Sequence, residues 1–151
     1  MIVVRLTADG AGALTFTVRP EIPYLDQDKE RTGTVTADGD LLTLAGTEAF
    51  FQCNYEGQIK VLHQGGTLEA DKAQGTIVVR DTDAATLLIA TGTNYRLNEK
   101  VFLSPPAEKL DPNLFPHDEV SARIDAASTL GYDALKQRHL DDYRELSGRV
   151  S

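Results

Sequence analysis

Closely spaced turn signals constrain the fold of this chain more than any other feature. Between residues 34 and 90, short β-branched and apolar runs are separated by Gly- or Asp-containing turns every eight to twelve residues. An Asp-Gly or Gly-Gly pair supplies the positive φ angles of a tight hairpin turn, and Asp38-Gly39 and Gly65-Gly66 are such pairs. Such spacing is typical of an antiparallel β-sandwich or barrel. The predicted strands here are Thr34–Ala37, Leu41–Leu44, Ile59–His63, Thr67–Ala70, Thr76–Arg80 and Ala85–Ala90.

Two further strands are predicted near the start of the chain. Ile2–Thr7 is a β-branched run, and in Leu14–Val18 apolar residues alternate with threonine, which gives one buried and one wetter face. Pro20 and Pro23 end that pattern because proline cannot donate a hydrogen bond to a neighbouring strand. The polar segment Glu21–Arg31 is predicted to be a surface excursion.

The composition changes after Tyr95. Arg96–His117 holds four of the six prolines, which predicts an irregular linker. Its apolar residues are too numerous for a free tether, so we expect it to pack against something.

Helical periodicity then begins. Asp118 and Glu119 suit a helix N-terminus, and Gly131 is predicted to end that helix as a C-cap. A second helix follows from Tyr132 with an apolar stripe that includes Leu135, His139, Tyr143 and Leu146. The predicted fold class is therefore mainly β: an antiparallel, incomplete, supersandwich-like β-sandwich followed by two α-helices. The predicted divisions are a partial sandwich at 1–95, a proline-rich linker at 96–117 and a helical segment at 118–151.

Net charge and cysteine content exclude several classes of function. The formal net charge of −8 disfavours nucleic acid and anionic membranes, which need a basic surface. The single cysteine, Cys53, allows neither an internal disulfide nor a cysteine-based zinc site. We expect no cofactor and no metal, and the cellular compartment stays open between cytoplasm and secretion.

The residues that could carry chemistry also have structural explanations. The acidic pairs suit hairpin ends, a helix start or, for Asp141/Asp142, a solvated helix face, and no histidine pair has metal-ligand spacing. An exposed aromatic could stack on a sugar, but alternation along the chain favours core packing for Phe50, Phe51 and Tyr55. Cys53 is expected to be a quiet, half-buried thiol, and His139 a hydrogen-bonded packing residue. We assign no catalytic, cofactor-binding or metal-binding residue. The candidates considered are Glu69/Asp71, Asp81/Asp83, Asp118/Glu119, Asp141/Asp142, His63, His117 and His139.

Three ordered stretches resemble one family of carbohydrate-active enzymes. The first contains Gly65–Ala70, Ile77–Val79 and Ala84–Ala90, and the second is Thr91–Tyr95. The third is Tyr132–Leu135 with His139–Leu146, Arg149 and Val150. Their order and spacing resemble the N-terminal β-sandwich domain of glycoside hydrolase family 95, the inverting α-L-fucosidases, together with the helix before the barrel.

The resemblance implies an enzyme built from an N-terminal β-sandwich, a helical linker, an (α/α)₆ barrel and a C-terminal β-domain. The family's catalytic Glu, Asn and Asp lie in the barrel, so no catalytic residue is carried over, and this chain by itself is expected to be inactive. The family's opening segment has no counterpart here, so we expect the chain to begin part-way through the domain. We also expect the terminal helices to pack on the sheet or the chain to dimerise, because missing strands expose sheet edges.

The partners implied are the parent's barrel and, through the parent, a fucosylated glycan. One alternative is a free-standing carbohydrate-binding or interaction module. Another is the sandwich domain of a maltose- or trehalose-phosphorylase-like enzyme.

Overall fold

The structure, a computed structural model, describes residues 1–25, 27 and 29–149. It confirms a mainly β chain with helices at its C-terminal end. Asp26 and Asp28 of the predicted surface excursion, and Val150 of the third family-like stretch with Ser151, lie outside the described residues. The strands are β1 (Ile2–Thr7), β2 (Leu14–Val18), β3 (Arg31–Asp38), β4 (Leu41–Glu48), β5 (Cys53–Gln64), β6 (Thr67–Asp71), β7 (Thr76–Thr82) and β8 (Ala84–Thr93). The helices are α1 (Glu99–Leu103), α2 (His117–Ser128) and α3 (Tyr132–Ser147), with a 3₁₀ turn at Pro106–Glu108.

The strands form two antiparallel sheets that pack face to face. The larger sheet has five strands in the order β1-β8-β5-β4-β3, and the smaller has three in the order β2-β7-β6. Aliphatic side chains from both sheets meet between them, including Leu42, Val61, Ile77 and Val79, which are at most 1% exposed. This face of the larger sheet is called the inner face below.

The turn between β3 and β4 differs from its predicted form by one residue. Asp38 pairs with Leu41, so the two-residue loop is Gly39-Asp40, not Asp38-Gly39. Gly39 has φ +56°, and Asp40 is not among the positive-φ residues. A two-residue loop whose first residue is glycine is typical of a II′ turn. The I′ turn predicted from Asp-Gly would need a positive φ angle at both loop residues.

The predicted Gly65-Gly66 hairpin turn and the turn before β8 both carry the chain from one sheet to the other. Gly65 and Gly66 both have positive φ, as expected for a tight reversal, but β5 pairs with β8 while β6 pairs with β7. Asp83 alone separates β7 from β8, which also belong to different sheets. A Gly-Gly pair therefore sets the reversal of direction, whereas packing decides which sheet the next strand joins.

Helix α2 packs on the outer face of the five-stranded sheet, over β5 and β8. Val120, Ile124 and Ala127 pack against Leu88 and Ala90 of β8 and form a second buried cluster. The helix approaches closely because β8 has a glycine here. A Cβ atom on Gly92 would lie 2.8 Å from Val120 Cγ2 and 3.0 Å from Pro116 Cβ. The expected packing of a terminal helix on the sheet is thus observed for α2, while dimerisation stays a prediction.

The linker and the last helix depart from their predicted forms. Residues 96–117 are not wholly irregular, since α1 and the 3₁₀ turn lie within them. Gly131 is not a left-handed C-cap of α2: it has φ −72° and is the N-cap of α3. The stripe on α3 is not a buried face, because no described α3 residue is buried.

Two contacts tie the start of α3 to the sandwich. Leu135 packs on the outer cluster, and the Arg5 guanidinium lies 5.7 Å from the centre of the Tyr132 ring. Of the helices described, none has the length and apolar character needed to cross a membrane. The division at 1–95, 96–117 and 118–151 stays a prediction.

Candidate functional site

The acidic pairs lie in separate places, and most of their members have local structural partners. Asp71 Oδ1 accepts hydrogen bonds from the backbone N–H groups of Ala73 and Gln74, and so closes the β6–β7 turn. Asp83 Oδ1 accepts one from Gly12 N at 2.7 Å and holds the β1–β2 loop. The Asp71 contact is the turn-capping role expected of Asp, whereas Asp83 ties together two loops that are far apart in the chain.

The remaining acidic pairs belong to helices. Asp118 and Glu119 stand in the first turn of α2, where negative charge is favourable, and Glu119 forms ion pairs with Arg96 and Arg123. Asp141 accepts a hydrogen bond from Gln137 on the exposed surface of α3. The absence of catalytic residues from this chain stays a prediction.

Two histidines lie on the surface. His63 Nδ1 is 2.8 Å from the carbonyl of Gly65 beside the turn that leaves β5. His139 is exposed, with its ring centre 6.4 Å from that of Tyr143, so it is not the packing residue that the helical stripe predicted. Within the described residues, no group of three or more His, Cys, Asp or Glu side chains could hold a metal ion.

The third histidine, His117, is the first residue of α2; its side chain is 61% exposed, but its ring takes part in a polar cluster with buried side chains of β5. The Glu56 side chain is only 7% exposed, and its carboxylate accepts hydrogen bonds from Gln58 Nε2 at 2.7 Å and lies 2.9 Å from His117 Nδ1. Gln58 Nε2 also donates to Ser121 Oγ at 2.8 Å. A buried carboxylate needs such partners, so this polar cluster joins β5 to the first turns of α2.

In space, Ser121 lies next to His117 and His117 next to Glu56, which is the sequence of contacts in a Ser-His-acid hydrolytic triad. The geometry does not suit such a triad. Ser121 Oγ is 3.5 Å from His117 Nε2, at the outer limit for a hydrogen bond, and it already accepts the Gln58 donor. Ser121 lies inside α2, where its backbone N–H is committed to the helix and cannot stabilise an oxyanion. The cluster fits helix docking better than acyl transfer.

A second polar group fixes the linker through two buried asparagines, here called the amide node. Asn94, 2% exposed, accepts a hydrogen bond from Asn54 N and donates to the carbonyls of Gln52 at 2.9 Å and Asp111 at 2.8 Å. Asn54, 3% exposed, donates to the carbonyls of Pro112 and Leu114 at 2.9 Å each. The expectation that the linker packs against something is confirmed, and these amide groups hold it.

Four exposed aromatic residues lie within two positions in the chain of residues that take part in the amide node, and we call them the aromatic end. Phe50 and Phe51 are 52% and 43% exposed and form an edge-to-face pair with ring centres 4.7 Å apart. Tyr95 and Phe115 are 45% and 64% exposed, and each follows directly on a residue that takes part in the node. The prediction that Phe50 and Phe51 pack in the core is wrong, because they lie in the β4–β5 turn, where strand alternation does not apply.

Tyr55 and Cys53 of β5 are partly buried. The Tyr55 hydroxyl donates to the carbonyl of Thr32 at 2.9 Å, and burial raises the pKa of that phenol. Burial, with a smaller effect of the nearby Glu48 carboxylate, raises the pKa of the Cys53 thiol. A raised thiol pKa leaves less of the reactive thiolate, so Cys53 is not built as a nucleophile.

A groove of about 510 Å³ lies on the inner face of the five-stranded sheet, and we call it the Tyr55 groove. Its floor includes Leu44, Gly57 and Thr91, which are paired across three strands, and the Ile22-Pro23 segment forms one wall. Its volume is within the usual range for small-molecule sites. Sequence reasoning missed it because the strands that form it were predicted to end earlier, at Leu44 and Ala90, or to begin later, at Ile59.

Comparison with known protein families gives one match. Residues 1–98, about two thirds of the chain, match the family described as glycosyl hydrolase family 65, N-terminal domain. The comparison with curated proteins found no match. The matched segment contains all eight strands and ends before α1.

Proposed function

Because this chain belongs to the family of glycosyl hydrolase family 65 N-terminal domains, we propose that it serves as a non-catalytic accessory domain that docks on the catalytic domain of its parent enzyme. The aromatic end carries this proposal. Large aromatic side chains held outward on a rigid base are typical of the centre of a protein interface. The amide node supplies that base, since buried amide groups fix the β4–β5 turn, the end of β8 and the linker to one another.

The test measures whether this chain stabilises the catalytic domain of its parent. That domain is expressed alone and with the chain, and thermal unfolding and catalytic rate are recorded. We expect the chain to raise the melting temperature of the catalytic domain, and Phe50→Ser with Phe51→Ser to remove most of that increase. Ile2→Thr is the control, because Ile2 is 62% exposed on β1 and does not belong to the aromatic end. Equal stabilisation by the double variant and the control would contradict the proposal.

The chemistry of the parent is the finer part of the proposal. The matched family favours a maltose- or trehalose-phosphorylase-like parent over the α-L-fucosidase suggested by the three family-like stretches. A phosphorylase needs inorganic phosphate and releases a sugar phosphate. An inverting fucosidase uses water and releases fucose with the opposite anomeric configuration. Incubating the parent with trehalose, maltose or an aryl α-L-fucoside, with and without phosphate, separates the two by product analysis.

A second candidate function is a carbohydrate-binding module that acts without a catalytic partner. The exposed edge-to-face pair of Phe50 and Phe51 favours it, because exposed aromatic rings can stack on sugar rings. Calorimetry of the isolated chain with mono- and disaccharides tests this candidate. If the Phe51→Ala variant no longer releases heat on addition of the sugar, the binding site lies at the aromatic end.

A further inference from the structure

The Tyr55 groove lies where the residues on the inner face of the larger sheet change from aliphatic to small or polar ones. Towards the core, the inner-facing residues of β5 and β8 are branched aliphatics: Ile59, Val61 and Leu87. Further along the same face they are Tyr55 and Gly57 on β5 and Thr91 and Thr93 on β8. In β3 and β4 the pattern likewise changes from Val35 and Leu44 to Gly33 and Gly46. On all four neighbouring strands, the inner-facing residues change from aliphatic to mainly glycine or threonine at about the same position across the sheet.

Glycine in β3 and β4 makes room for the Tyr55 ring. A Cβ atom on Gly46 would lie 2.5 Å from the Tyr55 hydroxyl and 2.7 Å from its ring carbon Cζ, and one on Gly33 would lie 2.7 Å from the hydroxyl. The phenol therefore rests directly on these two strands, and its hydrogen bond to the Thr32 carbonyl fixes it there. An aromatic ring held in one orientation is a preorganised surface for an apolar ring face.

The chemistry of the lining selects the kind of ligand. No Lys, Arg or His is among the described residues that line the groove. Arg31 lines an adjoining cavity with Tyr55, where one of its N–H groups donates to the carbonyl of Pro23. The groove itself therefore offers a phosphate or other anion no direct charge partner. Thr91 and Thr93 line the groove beside the apolar surfaces of Tyr55 and Ile22. Glu21 lines it too, and its exposed carboxylate lies 3.7 Å from Arg19 Nε. Hydroxyls and a carboxylate next to an aromatic ring suit a neutral, polyhydroxylated ring.

From this geometry we infer that the Tyr55 groove binds a neutral saccharide, with a pyranose ring on Tyr55 and sugar hydroxyls bonded to Thr91 and Glu21. The inference goes beyond the accessory role, because docking through the aromatic end neither needs nor excludes a sugar on the inner face. It is consistent with the sugar chemistry named in the matched family. A covering protein strand is less suitable, since its inward side chains would have to pack on Gly57, Thr91 and Thr93 and beside the Glu21 carboxylate.

The test is a nuclear magnetic resonance titration of the ¹⁵N-labelled full chain with D-glucose, L-fucose, maltose and trehalose, up to tens of millimolar. We expect at least one sugar to cause saturable shifts of the Gly57, Thr91 and Thr93 amide signals. Tyr55→Ala should weaken that binding about ten-fold, which is the upper range for loss of one aromatic stacking contact.

Gly57→Ala is the sharper variant because it fills the groove without straining the sheet. Its Cβ would lie 3.5 Å from Thr91 Cγ2, an ordinary van der Waals distance, so the fold should persist while binding weakens. Gly131→Ala is the matched control, since nothing lies within 4 Å of a Cβ there. Phe51→Ala, at the aromatic end, should leave these shifts unchanged.

Three results would overturn the inference. One is the absence of saturable shifts with all four sugars, and another is equal binding by wild type, Tyr55→Ala and Gly57→Ala. The third is that the Gly57 and Thr91 amide signals shift with protein concentration in the absence of sugar. Such a result would show that a second copy of the chain occupies the groove. None of these results affects the docking test on the aromatic end, so the two proposals fail separately.

Discussion

Replacing Asn94 by alanine is the perturbation that most directly tests how the linker is held. The substitution removes three hydrogen bonds made by one side chain that is 2% exposed. It leaves the backbone N–H of buried Asn54 without its acceptor, which costs about 1–3 kcal/mol. The carbonyls of Gln52 and Asp111 lie nearer to solvent and can turn to water, so each loss there costs about 0.5–1.5 kcal/mol. We expect a total loss of roughly 3 kcal/mol in the free energy of unfolding.

Urea unfolding followed by circular dichroism measures this loss, and the melting temperature should fall by about 6–12 °C for a chain of this length. Trypsin should also cut faster at Arg96, Lys100 and Lys109, because the linker is no longer fixed by its contact at Asp111. Asn113→Ala is the control: Asn113 is an exposed asparagine of the same linker, and its change should stay within about 0.5 kcal/mol. A loss below about 1 kcal/mol in Asn94→Ala, or unchanged trypsin cleavage, would refute this account of the amide node.

Three further predictions concern packing and titration. Gly92→Ala should destabilise the chain by about 1–3 kcal/mol in urea unfolding, because its Cβ would force α2 away from the sheet, whereas Gly131→Ala should change little. Lys72 holds the pKa of the Asp38 carboxyl below its ordinary value of 3.8, so Lys72→Met should raise that pKa in a carboxyl ¹³C titration. The Asp38 pKa is lower in the folded chain than in the unfolded chain, so the ion pair stabilises the fold only while Asp38 is ionised. The difference in unfolding free energy between wild type and Lys72→Met should therefore have its full size above pH 3.8 and disappear as the pH falls through the folded-state pKa. A difference that does not change with pH would contradict the ion pair. Cys53, whose thiol pKa burial raises, should react with iodoacetamide at pH 8 more slowly than free cysteine, and an equal rate would show that the thiol is not shielded.

The strand positions could be predicted from the sequence because turn residues and alternation are local properties. β1 and β2 have the predicted bounds, and α3 begins at the predicted Tyr132. The partition into two sheets could not be predicted, because the Gly65-Gly66 turn has the same residues whether the next strand pairs with β5 or crosses to the other sheet.

The polar residues of β5 show why the buried contacts were missed. Asn54, Glu56 and Gln58 alternate along the strand, and such alternation ordinarily marks a face in contact with water. In the structure this face lies beneath α2 and the linker, and all three residues are at most 7% exposed. Their partners in the linker and α2 are 58 to 63 residues away in the chain, so no local pattern could reveal them. Phe50 and Phe51 were misplaced for the opposite reason, since a strand pattern was extended into a turn.

The hydrogen bonds that cross from β5 to the linker and α2 define the smallest piece of this chain that can be exchanged between proteins. A chimaera joined after Tyr95 would replace the partners of Asn54, Glu56 and Gln58, and would also replace the helix that packs on Leu88 and Ala90. A chimaera joined after Ser128 would keep every one of these contacts. Recombination within this family should therefore tolerate junctions in the short segment between α2 and α3, and should fail at the apparent border between sheet and linker.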